Sequence, residues 1–303
     1  MKRLSLLSAA MVLASGIASA DMQVVATDVI GVEGPQIVGN DLYYVSWAKE
    51  TVNKWDGKNN SVVKEFPGCG PTGLTLTPSK TLFVACSADP GTIMEIDLKG
   101  NKIGQWDADK KGDKLAGGVN DMVTAHSGAV YATLWGQATK LPSKVSGKII
   151  MFSPESKTWS VVAEHINYAN GIGLSPDNKT LYVSAEVGNV VYKFPVNKDG
   201  TLGDMENFAV LGALSPTQYT DPWTGPDGIE VDRDGNVYVA QWGGGKILKI
   251  SSTGELLKVI EVPGSSGTTN IAFSDDNKTM FITAVDDSSA SIATGKIFKV
   301  EKQ

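Results

Sequence analysis

Two carboxylates, two carboxamides and two hydroxyls stand at matching places in a pattern that recurs six times along the chain: Glu33, Thr72, Asn120, Asn170, Asp227 and Thr269. Each opens an alternating apolar run, followed by a turn and a strand rich in Val, Tyr and Phe, and five of the six directly precede Gly or Asn. Single strand-start Asn, Asp or Thr residues are commonly turn caps. Six aligned copies are harder to read that way, because polar groups converging in a narrow space need partners. Every member offers a side-chain oxygen and none is His or Cys, so the chemistry expected is that of one hard divalent cation, balanced by the two carboxylates. Calcium fits best, with Mg2+, Mn2+ or Zn2+ as alternatives.

The elements that must bring these positions together follow from the spacing. Successive copies lie 39 to 57 residues apart, about the length of a four-stranded propeller blade. Third-strand signals follow each copy, at 51–55, 92–97, 148–152, 190–194, 246–250 and 296–300, and fourth strands follow in five repeats, among them 61–66, 158–163 and 256–261. The sixth repeat lacks one, and its open edge would invite aggregation. The β-prone stretch 23–27 is the expected filler. The fold expected is therefore all-β, a six-bladed β-propeller whose ring is closed by the N-terminal strand pairing with the last blade. An open β-sandwich or a non-closing array of hairpins is the alternative. Glycine, at about a tenth of the chain against a usual ~7%, agrees with many tight turns.

First strands of a propeller line its channel, so the six positions form a ring at one mouth. Second strands return to the same face, and their ends carry Trp47, Trp135 and Trp242, with Gln241 beside the last and Trp223 in the loop before Asp227. An aromatic wall suits a flat or ring-shaped ligand, although each tryptophan could instead pack between blades. The long connections 105–119, 134–147 and 212–226 are expected to roof the pocket. Cys69 and Cys86 should lie close together, as a loop-fixing disulfide or a redox pair. His165 precedes Asn170 on the site's side and is a candidate for proton transfer, whereas His126 falls in a turn on the opposite face.

Residues 1–20 read as an export signal: Lys2 and Arg3, an apolar stretch, then Ala18-Ser19-Ala20, with cleavage expected after Ala20. This leaves one propeller domain over 21–303 and a periplasmic or secreted location. Losing Lys2 and Arg3 moves the formal charge from −6 to about −8. Such an acidic chain without a Lys/Arg cluster suits neither nucleic acid nor an anionic membrane. The partner expected is a small molecule, and a monomer is favoured.

The stretches Glu33-Gly-Pro35, Asn120-Asp121, Asn170-Gly-Ile-Gly-Leu-Ser-Pro-Asp-Asn-Lys-Thr-Leu-Tyr-Val183 and Pro226-Asp-Gly-Ile-Glu-Val-Asp-Arg-Asp-Gly-Asn-Val-Tyr-Val239 carry a resemblance. The chain resembles the family of gluconolactonase, senescence marker protein and luciferin-regenerating enzyme. What this implies is a calcium-dependent hydrolase in which Glu33, Asn170 and Asp227 bind the metal and Asn120 contacts substrate or completes the metal's shell. Asp227 would also activate water, and Asn120, Asp121 and Trp242 are the expected substrate contacts. Sugar-lactone members often carry an Arg two residues before the Asn of the third blade, where this chain has Gly118. The activity implied is hydrolysis of a small cyclic ester by a sugar-lactone-type lactonase or esterase. Arylesterase or phosphotriesterase activity, a non-catalytic propeller that binds metal and a small ligand, and an interaction scaffold are the alternatives.

Overall fold

A computed structural model describes residues 22–217 and 223–301; the export signal expected over 1–20 lies outside the described residues. Six four-stranded antiparallel sheets form the six blades of a β-propeller. From axis to rim, blade one comprises Val32–Val38, Asp41–Ser46, Thr51–Trp55 and Asn60–Glu65, and blade two Pro71–Leu76, Thr81–Cys86, Thr92–Asp97 and Lys102–Trp106. Blade three is Val119–Thr124, Val130–Leu134, Gly147–Ser153 and Thr158–Ile166, and blade four Ala169–Leu174, Thr180–Ala185, Val190–Pro195 and Glu206–Val210. Blade five is Gly225–Val231, Val237–Trp242, Lys246–Ile250 and Leu256–Glu261. Blade six takes Gly267–Phe273, Thr279–Val285 and Thr294–Glu301 from the end of the chain and Met22–Ile30 from its start. The expected closure is thus observed, with Met22 opposite Val300 and Ile30 opposite Thr294.

The sequence makes these strands for a plain reason. Second strands such as Leu42-Tyr43-Tyr44-Val45 and Leu181-Tyr182-Val183 are buried on both faces, because neighbouring blades cover each sheet, so their residues are apolar in unbroken runs rather than alternating. Rim strands such as Asn60–Glu65 are mostly exposed and correspondingly polar. Between blades the interfaces are apolar clusters; the one between blades two and three gathers Phe83, Phe152 and Trp159, with Trp106 packed against it.

Two features aim the first strands at the axis. In every blade the pairing of first and second strands slips at the ring position, for instance between Glu33 and Gln36, between Ala169 and Ile172, and between Pro226 and Ile229. A bulge of this kind bends the strand and redirects a side chain. The next residue then presses against the neighbouring blade. A Cβ on Gly171 would lie 2.2 Å from the Asp227 carbonyl oxygen, and one on Gly73 would lie 2.5 Å from that of Asn120. Glycine after the ring residue is therefore a packing requirement of the channel.

Hydroxyls then staple blade to blade. Thr72 Oγ1 donates to the Asn120 carbonyl (2.9 Å), Thr133 Oγ1 to that of Asn170 (2.6 Å), Ser184 Oγ to that of Asp227 (2.6 Å) and Thr269 Oγ1 to that of Val32 (3.1 Å). Each bond fixes the backbone of a ring residue or of its neighbour. Cys69 and Cys86 form a disulfide that ties the loop entering blade two to the end of its second strand. Among the described residues no helix is long and apolar enough to cross a membrane.

Candidate functional site

All six ring residues line one pocket of about 190 Å³ at the channel mouth, together with Trp47, Ser87, Trp135 and Trp242. The wall has the same origin as the ring. One residue beyond the partner of the position before the ring, blades one to five carry Trp47, Ser87, Trp135, Glu186 and Trp242 in turn. Four of those five line the pocket, and the fifth, Glu186, is buried beside it.

Glu186 is the functional candidate that sequence reasoning missed. Its Oε2 accepts a 2.7 Å hydrogen bond from Asn170 Nδ2. That bond fixes the orientation of the amide and leaves Asn170 Oδ1 as the free end. The signal was available, since aligning second-strand ends puts Glu186 in the register of the tryptophans.

Three buried oxygens at the mouth have no hydrogen-bond donor: Glu33 Oε2, Asn120 Oδ1 and Asn170 Oδ1. All three are acceptors. The other Glu33 oxygen, Oε1, takes a 3.1 Å bond from Asn270 Nδ2. Burial, with the charge of Asp121 added, pushes the Glu33 carboxyl up to about 8. Burial also holds Asp227 well above the usual carboxylate range, helped by the nearby charges of Glu33, Glu186 and Asp121. None of the described lining residues is Lys or Arg. An unpartnered buried acceptor costs about 1–3 kcal/mol, so three of them around two crowded carboxyls form a donor set that fits a hard cation. The described residues contain no group of three or more His, Cys, Asp or Glu suited to a metal, which leaves two carboxylates with two amides as the set that could hold one.

Asp121, expected to contact substrate, does not line this pocket and instead lines a second cavity of about 190 Å³ on the other side of the ring. The reason is steric. Asp121 and Asn270 occupy in blades three and six the place that glycine takes in the other four. There they meet across the axis, Asn270 Nδ2 lying 3.2 Å from Asp121 Oδ2. They lie beneath the mouth pocket, and burial pushes Asp121 up to about 7.

Neither histidine lines the pocket. His165 is exposed, with Nδ1 3.4 Å from the Val145 carbonyl oxygen, and His126 is exposed as well. Trp135 stacks on Tyr168 with ring centroids 5.3 Å apart and planes 9° from parallel. Trp223 braces Tyr168 from 5.2 Å and is not itself a lining residue. Gln241 is wholly buried and accepts from Thr217 Oγ1. Of the expected roof, 218–222 lie outside the described residues, while the connection 134–147 supplies Trp135 to the wall.

A family model described as the SMP-30/Gluconolactonase/LRE-like region matches residues 32–286. A lactonase drp35 of Staphylococcus saprophyticus is 30% identical over 198 residues, 64% of this chain and 57% of that protein. The chain spans about half the length of the curated relatives it matches. Among solved structures, a gluconolactonase of Xanthomonas campestris superposes with a TM-score of 0.74 at 20% identity, covering 95% of this chain and 94% of that one. The calcium-binding protein regucalcin of Agrobacterium tumefaciens gives 0.72 at 19% identity, over 92% and 94%. At these identities the structural likenesses bear on the fold alone.

Proposed function

The chain belongs to the SMP-30/gluconolactonase/LRE-like family, and from that premise we propose that it hydrolyses a small cyclic ester, with a divalent cation held by Glu33, Asn120, Asn170 and Asp227. The observation that carries the reading is the set of three buried oxygens without donors at the mouth of an open, aromatic-walled pocket. Glu33, Asn120, Asn170 and Asp227 would hold the cation, Ca2+ being favoured by the oxygen-only set, and once bound it would supply polarisation of the ester carbonyl and favour the ionised form of the two carboxylates. Asp227 takes the proton from the attacking water as the new C–O bond forms. It returns that proton to the ring oxygen as the old C–O bond breaks, which yields a hydroxy acid. Held ionised beside the cation, Asp227 is in the protonation state that a general base needs. Asn120 and the three tryptophans position the ring. The export-signal pattern expected over residues 1–20 and the Cys69–Cys86 disulfide support a periplasmic or secreted site of action.

The test is turnover of a panel of lactones, aryl esters and phosphotriesters, with calcium and with a chelator. Lactone hydrolysis that chelation abolishes is expected. If nothing in the panel turns over while calcium still raises the melting temperature, binding alone replaces hydrolysis.

Glu186→Gln offers a narrower check. A glutamine amide can donate to Asn170 Oδ1 and free the Asn170 amide to rotate, so calcium affinity by calorimetry should fall about tenfold or more, as for other groups that orient metal ligands. An unchanged affinity would show that Glu186 does not set the ligand's orientation.

A further inference from the structure

We infer that the protein binds one small halide ion outside the mouth pocket, where Lys246, Gln241 and Thr224 meet between blades four and five. The observation that carries this is a set of buried donors with no acceptor to match.

The second and third strands of blade five pair Val237 with Ile250, Val239 with Leu248 and Gln241 with Lys246. The first two pairs are apolar and belong to the cluster that holds Tyr182 and Val191 of blade four. Cross-strand partners share a face, so Gln241 and Lys246 extend that same face to its mouth-side end, where it turns polar. Lys246 is 7%, Thr224 5% and Gln241 0% exposed. Among the described residues Lys246 takes part in no ion pair. Its Nζ donates to Ser215 Oγ at 2.9 Å, and Glu261, its partner on the rim strand, is exposed. Gln241 Oε1 accepts from Thr217 Oγ1 at 3.0 Å, which leaves the amide nitrogen as the free end. Neither that Nε2 nor Thr224 Oγ1 has a hydrogen-bond partner.

A buried ammonium among hydroxyl and amide donors is costly unless an anion neutralises it. A water molecule could accept from these groups, but it would bring two protons of its own and no charge. An anion accepts from all three and supplies the missing charge. The adjoining turn limits its size. A Cβ on Gly243 would lie 2.3 Å from Thr224 Oγ1, and one on Gly244 would lie 2.3 Å from Gln241 Oε1, so backbone closes directly on the donors and the room is that of a single atom. A halide meets these conditions, whereas a phosphate is too large. Thr224 leads into the strand that carries Asp227, and Pro226 is the partner of Gln241. The ion therefore clamps the segment of Ser215 and Thr217, which leaves blade four, to the start of that strand.

The experiment uses the full chain in chelator and in chloride-free buffer, with sodium methanesulfonate holding the ionic strength constant. Replacing that salt with chloride, to about 200 mM, should raise the melting temperature by about 2 °C or more, and bromide should act alike. Lys246→Met keeps the length of the side chain without its charge and should weaken chloride binding about tenfold or more. Thr224→Val removes one donor and no charge, and should weaken it about fivefold. Crystals soaked in bromide should show an anomalous peak beside Lys246 Nζ, Gln241 Nε2 and Thr224 Oγ1. The inference is overturned by the absence of that peak, by equal melting temperatures in chloride and methanesulfonate, or by a chloride response that both variants keep in full.

Discussion

Replacing Asp227 with Asn is expected to lower kcat/KM for a hydrolysed lactone by about three orders of magnitude while the propeller stays folded. The amide has the shape of the carboxylate, so the bulge that holds residue 227 and the Ser184 bond to its carbonyl oxygen are retained. What disappears is a base, whose loss alone costs roughly 10²–10⁴ in rate, and one of the two charges that balance the cation. Glu33→Gln should separate these effects. It removes the other charge without removing the base, so calcium affinity should fall in both variants, and saturating calcium should recover activity in Glu33→Gln far better than in Asp227→Asn. Equal recovery in the two would assign Asp227 to binding alone.

The second large effect is on stability against pH in the metal-free protein. Burial raises Glu33 from 4.5 to about 8, Asp121 from 3.8 to about 7 and Glu230 from 4.5 to about 7, and Asp227 moves the same way. Across that window the folded chain holds protons that the unfolded chain has already lost, so stability falls as pH rises from about 4 through about 8. In chelator the melting temperature should therefore drop over this range. Saturating calcium should flatten the slope, because a cation favours the ionised carboxylates at the mouth. A melting temperature that rises with pH in chelator would mean these carboxyls are ionised in the folded, metal-free state.

The ring was legible in the sequence because it is repeated: six polar residues in one register survive any uncertainty about a single copy. The third strands Thr51–Trp55, Thr92–Asp97 and Lys246–Ile250 match their expected bounds for a related reason, since each is a short stretch bounded by turn residues at nearly the same offset in its repeat. Glu186 escaped notice because it departs in type from Trp47, Trp135 and Trp242 while sharing their place, and a search for like residues passes over the unlike one. Adjacency to Asn120 in the chain suggests a shared task for Asp121, whereas neighbouring residues on a strand point to opposite sides, and Asp121 lines the second cavity rather than the mouth pocket. The same steric rule that demands Gly34, Gly73, Gly171 and Gly228 makes Asp121 and Asn270 the exceptions, and only the assembled channel reveals what the exceptions do.

The mixed sixth blade also sets a schedule for folding. Met22–Ile30 leaves the ribosome among the first segments of the domain but finds its partner, Thr294–Glu301, among the last, and the bond from Asn270 to Glu33 spans 237 residues. Contacts so distant in sequence carry a loop-closure cost before they stabilise anything, and they slow folding. Glu33 follows directly on that early strand, so the oxygen set is complete only once the two ends of the chain have met. Binding of the proposed cation would thus double as a readout of ring closure, since a nascent or opened chain would lack the complete oxygen set.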